Sequence, residues 1–268
     1  LDANIHLVVV ASPMQLHVPH SVAALKAGKH VISEVTAGVS VEQCKELVAA
    51  VESVKEDGVK YMMAENYIYL KDNVLIKSMV TSGVFGDIYY AEGQYVHDIK
   101  DMHYDEDGSP TWRARWQVGV NGCSYGTHSL GPPLEWFDEK VATVACLGTG
   151  RHTAPQHIAE DSTTMLCKTD SARLIEIRVD MLSNRPHNMT YYSLQGTMGC
   201  FEGARGLGDR PKIWLDRKGD GSASQWSHTN RETIDTDPYE WRPLTDFEEE
   251  FLPDFWKNAS EQAVAAGH

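Results

Sequence analysis

Short apolar runs alternate with helical stretches over the first 63 residues, and this alternation restricts the fold more than any other feature of the chain. Ile5–Val10 is a β-branched run of the kind found in strands buried on both faces. Ser12-Pro13 breaks it, and Val18, Val22, Leu25 and Lys26 follow at helical spacing until Gly28, well placed to end a helix. His30–Ile32 reads as a second strand. Ser40 then caps a helix running through Val54, with Glu42 and Glu46 near the positive end of its dipole. Gly58 stops that helix, and Val59–Met63 forms a third strand. This β-α-β-α-β order with short loops predicts a doubly wound parallel sheet.

A nucleotide-binding sheet of this kind carries Gly-x-Gly-x-x-Gly between its first strand and helix, and no such motif precedes or follows these strands. Gly203, Gly206 and Gly208 have the wrong spacing and read as a surface turn. The first segment is therefore expected to be the C-terminal half of an α/β sheet. Residues near Asp72 to Ser82 read as a helix, and longer strands begin at Ile88–Tyr95. Val141–Leu147, Ser162–Lys168, Ala172–Met181, Asn188–Gln195 and Ile213–Leu215 continue them, the pattern of an open, mainly antiparallel sheet with helices, an α+β arrangement. The boundary falls near Glu65–Tyr69, giving an α/β segment 1–66 and a sheet domain 67–268.

Composition excludes several classes. The chain has 24 Lys+Arg against 38 Asp+Glu, a formal net charge of −14, so it lacks the basic footprint that nucleic acid requires. Its 42% hydrophobic and 23% charged residues suit a protein with a packed core. No apolar run approaches the roughly 20 residues of a membrane span. Cys44, Cys123, Cys146, Cys167 and Cys200 are odd in number and form no Cys-x-x-Cys pair, which argues against a disulfide framework or a structural zinc site. His17 and His20 share a helix face without a third ligand at standard spacing, and the segment Asp216 to Gly221 places Lys218 where a calcium ligand belongs, so no metal is expected. The chain opens at Leu1-Asp2 without an initiator Met and ends directly after an Ala-rich stretch, so it is expected to be an internal piece of a longer protein. Its compartment stays open between periplasmic or secreted and cytoplasmic.

Ligands of open α/β sheets bind beyond the carboxyl ends of the strands, which directs attention to Ser12-Pro13, Glu34 and Glu65-Asn66. The stretch VVVASPMQLHVPHSVAALKAGKHVISE contains Ser12-Pro13, His17, Ala27-Gly28-Lys29-His30-Val31 and Glu34 in an order and spacing that resemble the Gfo/Idh/MocA oxidoreductases. The resemblance implies a Rossmann domain lacking roughly its first four strands, followed by an open antiparallel sheet, with NAD as cofactor. Two positions depart from the family's sugar dehydrogenases. Glu34-Val35-Thr36 stands where they carry Glu-Lys-Pro, and Ser124 stands four residues before His128 where they carry Asp. Val35 cannot move a proton.

One branch is closer. The NAD-dependent glycoside hydrolases of the α-N-acetylgalactosaminidase type are similar at Glu34-Val35, Glu65-Asn66 with Tyr69, and Gly93, Tyr95, His97 and Asp98. They are similar again at Tyr125, Thr127, His128, Leu130, Gly131 and Pro132, and at Arg185-Pro186 and Gln195-Gly196-Thr197. Thr36 and Met14-Gln15 differ from that branch. The resemblance implies a glycoside hydrolase that transiently oxidises the sugar C3 hydroxyl, eliminates the C1 substituent and reduces C3 again. It does not use the carboxylate pair of ordinary glycosidases.

On this reading His128 is the base at C3, and Tyr125 acts at C2 or on the leaving group if its pKa is lowered. Tyr69 and Tyr95 either touch sugar or belong to core and rim. His97 and Asp98 either orient substrate or pair locally. Arg113 and Arg115, between Trp112 and Trp116, form either a sugar platform or an interface, and Arg185 is a further hydrogen-bond donor to sugar. Ser12, Pro13, His17, Glu34, Val35 and Asn66 would face the cofactor. The expected partner is a small carbohydrate, with homo-oligomers forming through the sheet domain. Two other readings stay open: an NAD(P)-dependent sugar or polyol dehydrogenase, and a non-catalytic sugar- or nucleotide-binding protein. Without a glycine loop the 268 residues alone are expected to bind NAD weakly or not at all, and the strand at Ile5–Val10 should present an apolar edge.

Overall fold

A computed structural model describes residues 4–182, 184–185, 188–216 and 241–265. Three parallel strands, β1 (Leu7–Val10), β2 (His30–Ser33) and β3 (Tyr61–Met63), lie in that order. Helix α1 (His17–Lys26) and helix α2 (Val41–Val54) connect them. Val18 and Leu25 from α1, Leu47 and Ala50 from α2, and Val10 and Val31 from the strands form one small core. Gly28 ends α1 at φ +71°, a backbone conformation that a side chain would strain. Ser40 accepts the Gln43 amide at 3.1 Å, so the expected N-cap is made. β1 begins two residues later than the apolar run suggested and lies at the edge of its sheet, with Val9 65% exposed.

Helix α3 (Lys71–Thr81) leads into a second sheet. Its strands are β4 (Ile88–Val96), β5 (Val141–Gly148), β6 (Thr163–Thr169), β7 (Leu174–Asp180), β8 (Asn188–Gly196), β9 (Gly199–Glu202), β10 (Lys212–Leu215) and β11 (Arg242–Pro243). The order is β11-β10-β9-β8-β4-β7-β6-β5. Every neighbouring pair is antiparallel except β4 and β7, which run parallel, so the sheet is mixed and open. Two short helices follow β4, α4 (Trp112–Trp116) and the longer α5 (Thr127–Phe137). α6 (Glu248–Phe251) and α7 (Asp254–Ala265) close the described chain. Leu75, Ile76 and Met79 of α3, Trp136 and Phe137 of α5, Ile175 and Ile177 of β7, and Leu244 and Phe247 near the end share the main core. Among the described residues, no helix is long and apolar enough to cross a membrane. Of the segment Asp216 to Gly221, residues 217–221 lie outside the described residues, as do Pro186 and the first two residues of the chain.

Helix α5 has no counterpart in the sequence reading because Pro132 and Pro133 sit inside it. A proline at these positions removes the amide that would reach back four residues, leaving the carbonyls of His128 and Ser129 without their helical donors. Both carbonyls have other work. The Tyr192 hydroxyl on β8 donates to His128 O at 2.5 Å. Ser129 O lies against β4 at Gly93, where an added Cβ would come within 1.8 Å of it. The Leu-Gly-Pro-Pro run thus lets α5 press directly onto the central strand.

Candidate active site

His128, one residue into α5, is buried at 6% exposure. Its Nδ1 is 2.8 Å from Oε1 of Glu65, which lies just beyond β3 and is 4% exposed. A carboxylate only accepts, so Nδ1 carries the proton and Nε2 is the basic nitrogen. Nε2 has no hydrogen-bond partner among the described residues. Glu65 Oε1 also accepts the Tyr67 amide at 3.0 Å, which holds the carboxylate in place. Its Oε2 is buried with no partner among the described residues, so a bound molecule would find an acceptor there. Gly131 allows this approach, since a Cβ there would meet the Glu65 Cγ at 2.8 Å.

Three tyrosines wall the imidazole. Tyr67 stacks on it with centroids 4.1 Å apart, while Tyr95 and Tyr125 lie at 5.2 and 5.3 Å. Burial raises the pKa of Tyr67, with Glu65 adding to the effect. Burial also raises that of Tyr125, with Arg113 opposing and Glu34, Glu65 and Tyr67 reinforcing. The sequence reading required the Tyr125 pKa to be lowered for it to act as a base. The opposite holds, and Tyr125 is a neutral phenol at working pH. Tyr95 is likewise pushed up by burial and shares a 2.7 Å hydrogen bond with His97 Nδ1.

The remaining expected residues divide. Arg113 donates to Gln117 Oε1 at 3.0 Å, lies over the Trp112 ring, and is close enough to Tyr95 and Tyr125 to affect both electrostatically. Arg115 and Arg185 are exposed. Asp98 pairs locally with Lys100 at 3.0 Å. Burial would raise its pKa, but hydrogen bonds from the Lys100 side chain and amide outweigh that and hold it low. Tyr69 does not join the site. The short helical turn Asn66–Tyr69 carries it, 49% exposed, into a groove with Val74, Lys77 and Phe255, and places Tyr67 against His128 instead.

On the parallel-sheet side, Ser12, Glu34 and Asn66 follow the ends of β1, β2 and β3. Val35 is buried, and its amide is 3.4 Å from Glu34 Oε2. His17 differs from its expected role at the cofactor. It is 2% exposed, with Nδ1 and Nε2 each 2.7 Å from a carbonyl, Thr36 O and Ser12 O, so neither nitrogen is left for a ligand. It ties the loops after β1 and β2 together. Sequence reasoning missed Tyr67, Tyr192 and the direct pairing of Glu65 with His128. The closeness of Glu65-Asn66 to a strand end was the one available signal.

Known proteins match both parts of this arrangement. Residues 1–64 match the family described as "Oxidoreductase family, NAD-binding Rossmann fold". Residues 69–147 match "Glycosyl hydrolase 109, C-terminal domain". The chain is thus similar to the Gfo/Idh/MocA oxidoreductases over its first part and to family 109 glycosyl hydrolases over its second. It is 29% identical over 244 residues to a glycosyl hydrolase family 109 protein of Shewanella amazonensis, spanning 83% of this chain and 52% of that protein. A homologue of the same description from Shewanella woodyi is 28% identical over 246 residues, again with 83% and 52% covered. The chain thus spans about half the length of these relatives. Among solved structures, an NAD-binding oxidoreductase from Klebsiella pneumoniae superposes with TM-score 0.66 at 21% identity, covering 80% of this chain and 58% of that one. Levoglucosan dehydrogenase in complex with NADH and levoglucosan gives the same TM-score, identity and coverages. At such identities these structures establish the fold alone: part of a Rossmann domain followed by a mixed, mainly antiparallel open sheet.

Proposed function

We propose that the protein is a glycoside hydrolase that uses tightly bound NAD, with His128 as the base at the sugar C3 hydroxyl. The observation that carries this reading is the buried His128–Glu65 pair at 2.8 Å, walled by tyrosines and without a hydrogen bond at Nε2 among the described residues. The family matches support the reaction class. The residues present fit a nicotinamide cofactor: loops follow the carboxyl ends of three parallel strands, His17 ties the first two together, and the third carries Glu65 to His128. Ser12, Pro13, Glu34, Val35 and Asn66 would hold it there. Bound NAD would supply the reversible removal of two electrons and a proton equivalent at C3.

His128 Nε2 takes the C3 hydroxyl proton, and Glu65 stabilises the imidazolium that results. Oxidation at C3 acidifies the C2 hydrogen, so its proton passes to solvent water as the C1–oxygen bond breaks. Tyr125, held neutral, donates its phenolic proton to the departing oxygen and recovers one from the water that then adds at C1. C2 takes its proton back from solvent, and reduction at C3 restores the hydroxyl as His128 returns its proton. Tyr95 and Arg113 hydrogen-bond the sugar and help exclude water. Val35 stands where a proton-carrying Lys would suit a net dehydrogenase, and it cannot take that part.

The test uses the intact protein with an aryl glycoside in deuterated water, followed by NMR of the sugar released. Deuterium is expected at C2 of the product. Its absence, with hydrolysis proceeding, would overturn the elimination route, and accumulation of NADH with a ketosugar would establish the dehydrogenase reading instead.

A further inference from the structure

A cavity of about 650 Å³ lies between α2 and α4 with its loop, outside the ring of residues around His128. Met14, Val39, Val41, Val48, Trp116 and Val120 form most of its wall. It adjoins the proposed sugar site by chain continuity on two sides. Ser124 lines it immediately before Tyr125. On α4, Trp116 lines it one turn after Arg113, which acts on Tyr95 and Tyr125.

Three polar groups of the wall are already engaged. The Ser40 hydroxyl accepts the Gln43 amide, the Ser124 hydroxyl donates to Gln117 O, and Gly38 O accepts from Thr36. A hydroxyl-rich occupant such as a second sugar would lose its water hydrogen bonds and find few replacements. A flat apolar group would bury area against the valines and stack on Trp116, which is 37% exposed. Among the described residues Lys45 is the one charged side chain on the wall, and it lies on the exposed face of α2.

We propose that this cavity binds an apolar, planar group carried by the substrate beside the sugar, namely an aryl or similarly flat aglycone. The proposal rests on the glycoside hydrolase reading for its link to catalysis, while the binding it claims can be measured without turnover. The probe is 4-fluorophenol, observed by fluorine NMR with the intact protein. Two variants alter the wall at exposed positions that folding tolerates: Trp116→Ala removes the stacking face, and Ala49→Trp fills the space. Binding is expected to weaken at least tenfold in both. In turnover, kcat/KM for a 4-nitrophenyl glycoside should fall at least tenfold in each variant, while that for the methyl glycoside of the same sugar falls less than twofold.

Phenol binding unchanged in both variants would overturn the proposal, and so would equal losses for the aryl and methyl glycosides. Trp116-dependent phenol binding without turnover of either glycoside would uphold the cavity and remove the glycosidase reading instead. Urea unfolding midpoints within a few tenths molar of the parent protein would confirm that neither variant acts through loss of fold.

Discussion

The two sheets contribute to the proposed site by different means. The parallel sheet has strands of three or four residues and offers backbone loops, pinned by His17 and by the Ser40 cap. The eight-stranded sheet has strands of up to nine residues and offers His128, the proposed base, on a helix pressed against its central strand. Loops can shape themselves to a cofactor, whereas a proton-transfer group must stay within a fraction of an ångström of its geometry. Dense non-local packing is found where that precision is needed.

The largest effect is expected at the point where the two sheets meet. His128→Ala should lower kcat about a thousandfold or more, since general-base contributions of roughly 10²–10⁴ are typical. Glu65→Gln keeps the hydrogen bond to Nδ1 possible but removes the negative charge that favours the imidazolium. It should cost about tenfold to a hundredfold in kcat with little change in KM. A large loss in KM with kcat preserved would mean that Glu65 binds substrate and does not tune the base.

The same contrast explains how much of the molecule was legible in its residues. The β-α-β-α-β order is local, so Gly28, Ser40 and Gly58 marked its ends where the structure has them. The parallel pairing of β4 with β7 joins segments more than eighty residues apart, and no local pattern encodes it. Helix α5 was hidden by Pro132 and Pro133, whose effect on the backbone makes sense only once Tyr192 and Gly93 are in place. At the site, Tyr67 and Tyr69 could not be told apart by spacing. The turn Asn66–Tyr69 decides which of them stacks on His128. Strand ends did point to Glu65, because a parallel sheet gathers its ligand-facing groups there.

Gly93→Ala is expected to have the next largest effect. The added Cβ meets backbone, the Ser129 carbonyl, and not a side chain that can rotate away. Overpacking of this kind costs about 3 kcal/mol. The urea midpoint should fall accordingly, and activity should fall further than stability alone explains because α5 must shift. A variant as stable and active as the parent would show that α5 is not held by its contact with β4.

A smaller effect, still on the eight-stranded side, comes from His103. It is fully buried, with Nδ1 3.0 Å from His157 Nε2. Burial, reinforced by His157 and opposed by Asp98, holds it at about 4. The folded protein therefore keeps His103 neutral at pH values where the unfolded chain, near 6.5, takes up a proton. More protons bind to the unfolded state, so stability falls as pH falls from about 6.5 toward 4 and the loss levels off below that. The expected cost is about 2 kcal/mol between pH 7 and 5. His103→Gln should flatten this dependence in urea titrations at the two pH values. An equal slope in both proteins would place the pH sensitivity elsewhere.

The smallest expected effect falls on the parallel sheet and probes its reliance on local devices. Helix α2 carries a side-chain N-cap, Ser40, whereas α1, α3, α4 and α5 have none. Ser40 has extended backbone angles, φ −147° and ψ 161°, and its oxygen accepts the Gln43 amide, one of the four donors a helix start leaves unpaired. Ser40→Ala removes that acceptor and should cost about 1 kcal/mol. Ser40→Asp should restore it, because a carboxylate both caps and favours the positive end of the helix dipole. Hydrogen exchange gives the sharper reading. If the parallel sheet opens by itself, amides of α2 and β2 should lose protection by about fivefold in Ser40→Ala while those of β4, β7 and β8 keep theirs. Uniform loss across both sheets would mean that they unfold as one unit, and the division between a loop-bearing layer and a rigid platform would then hold for geometry but not for energetics.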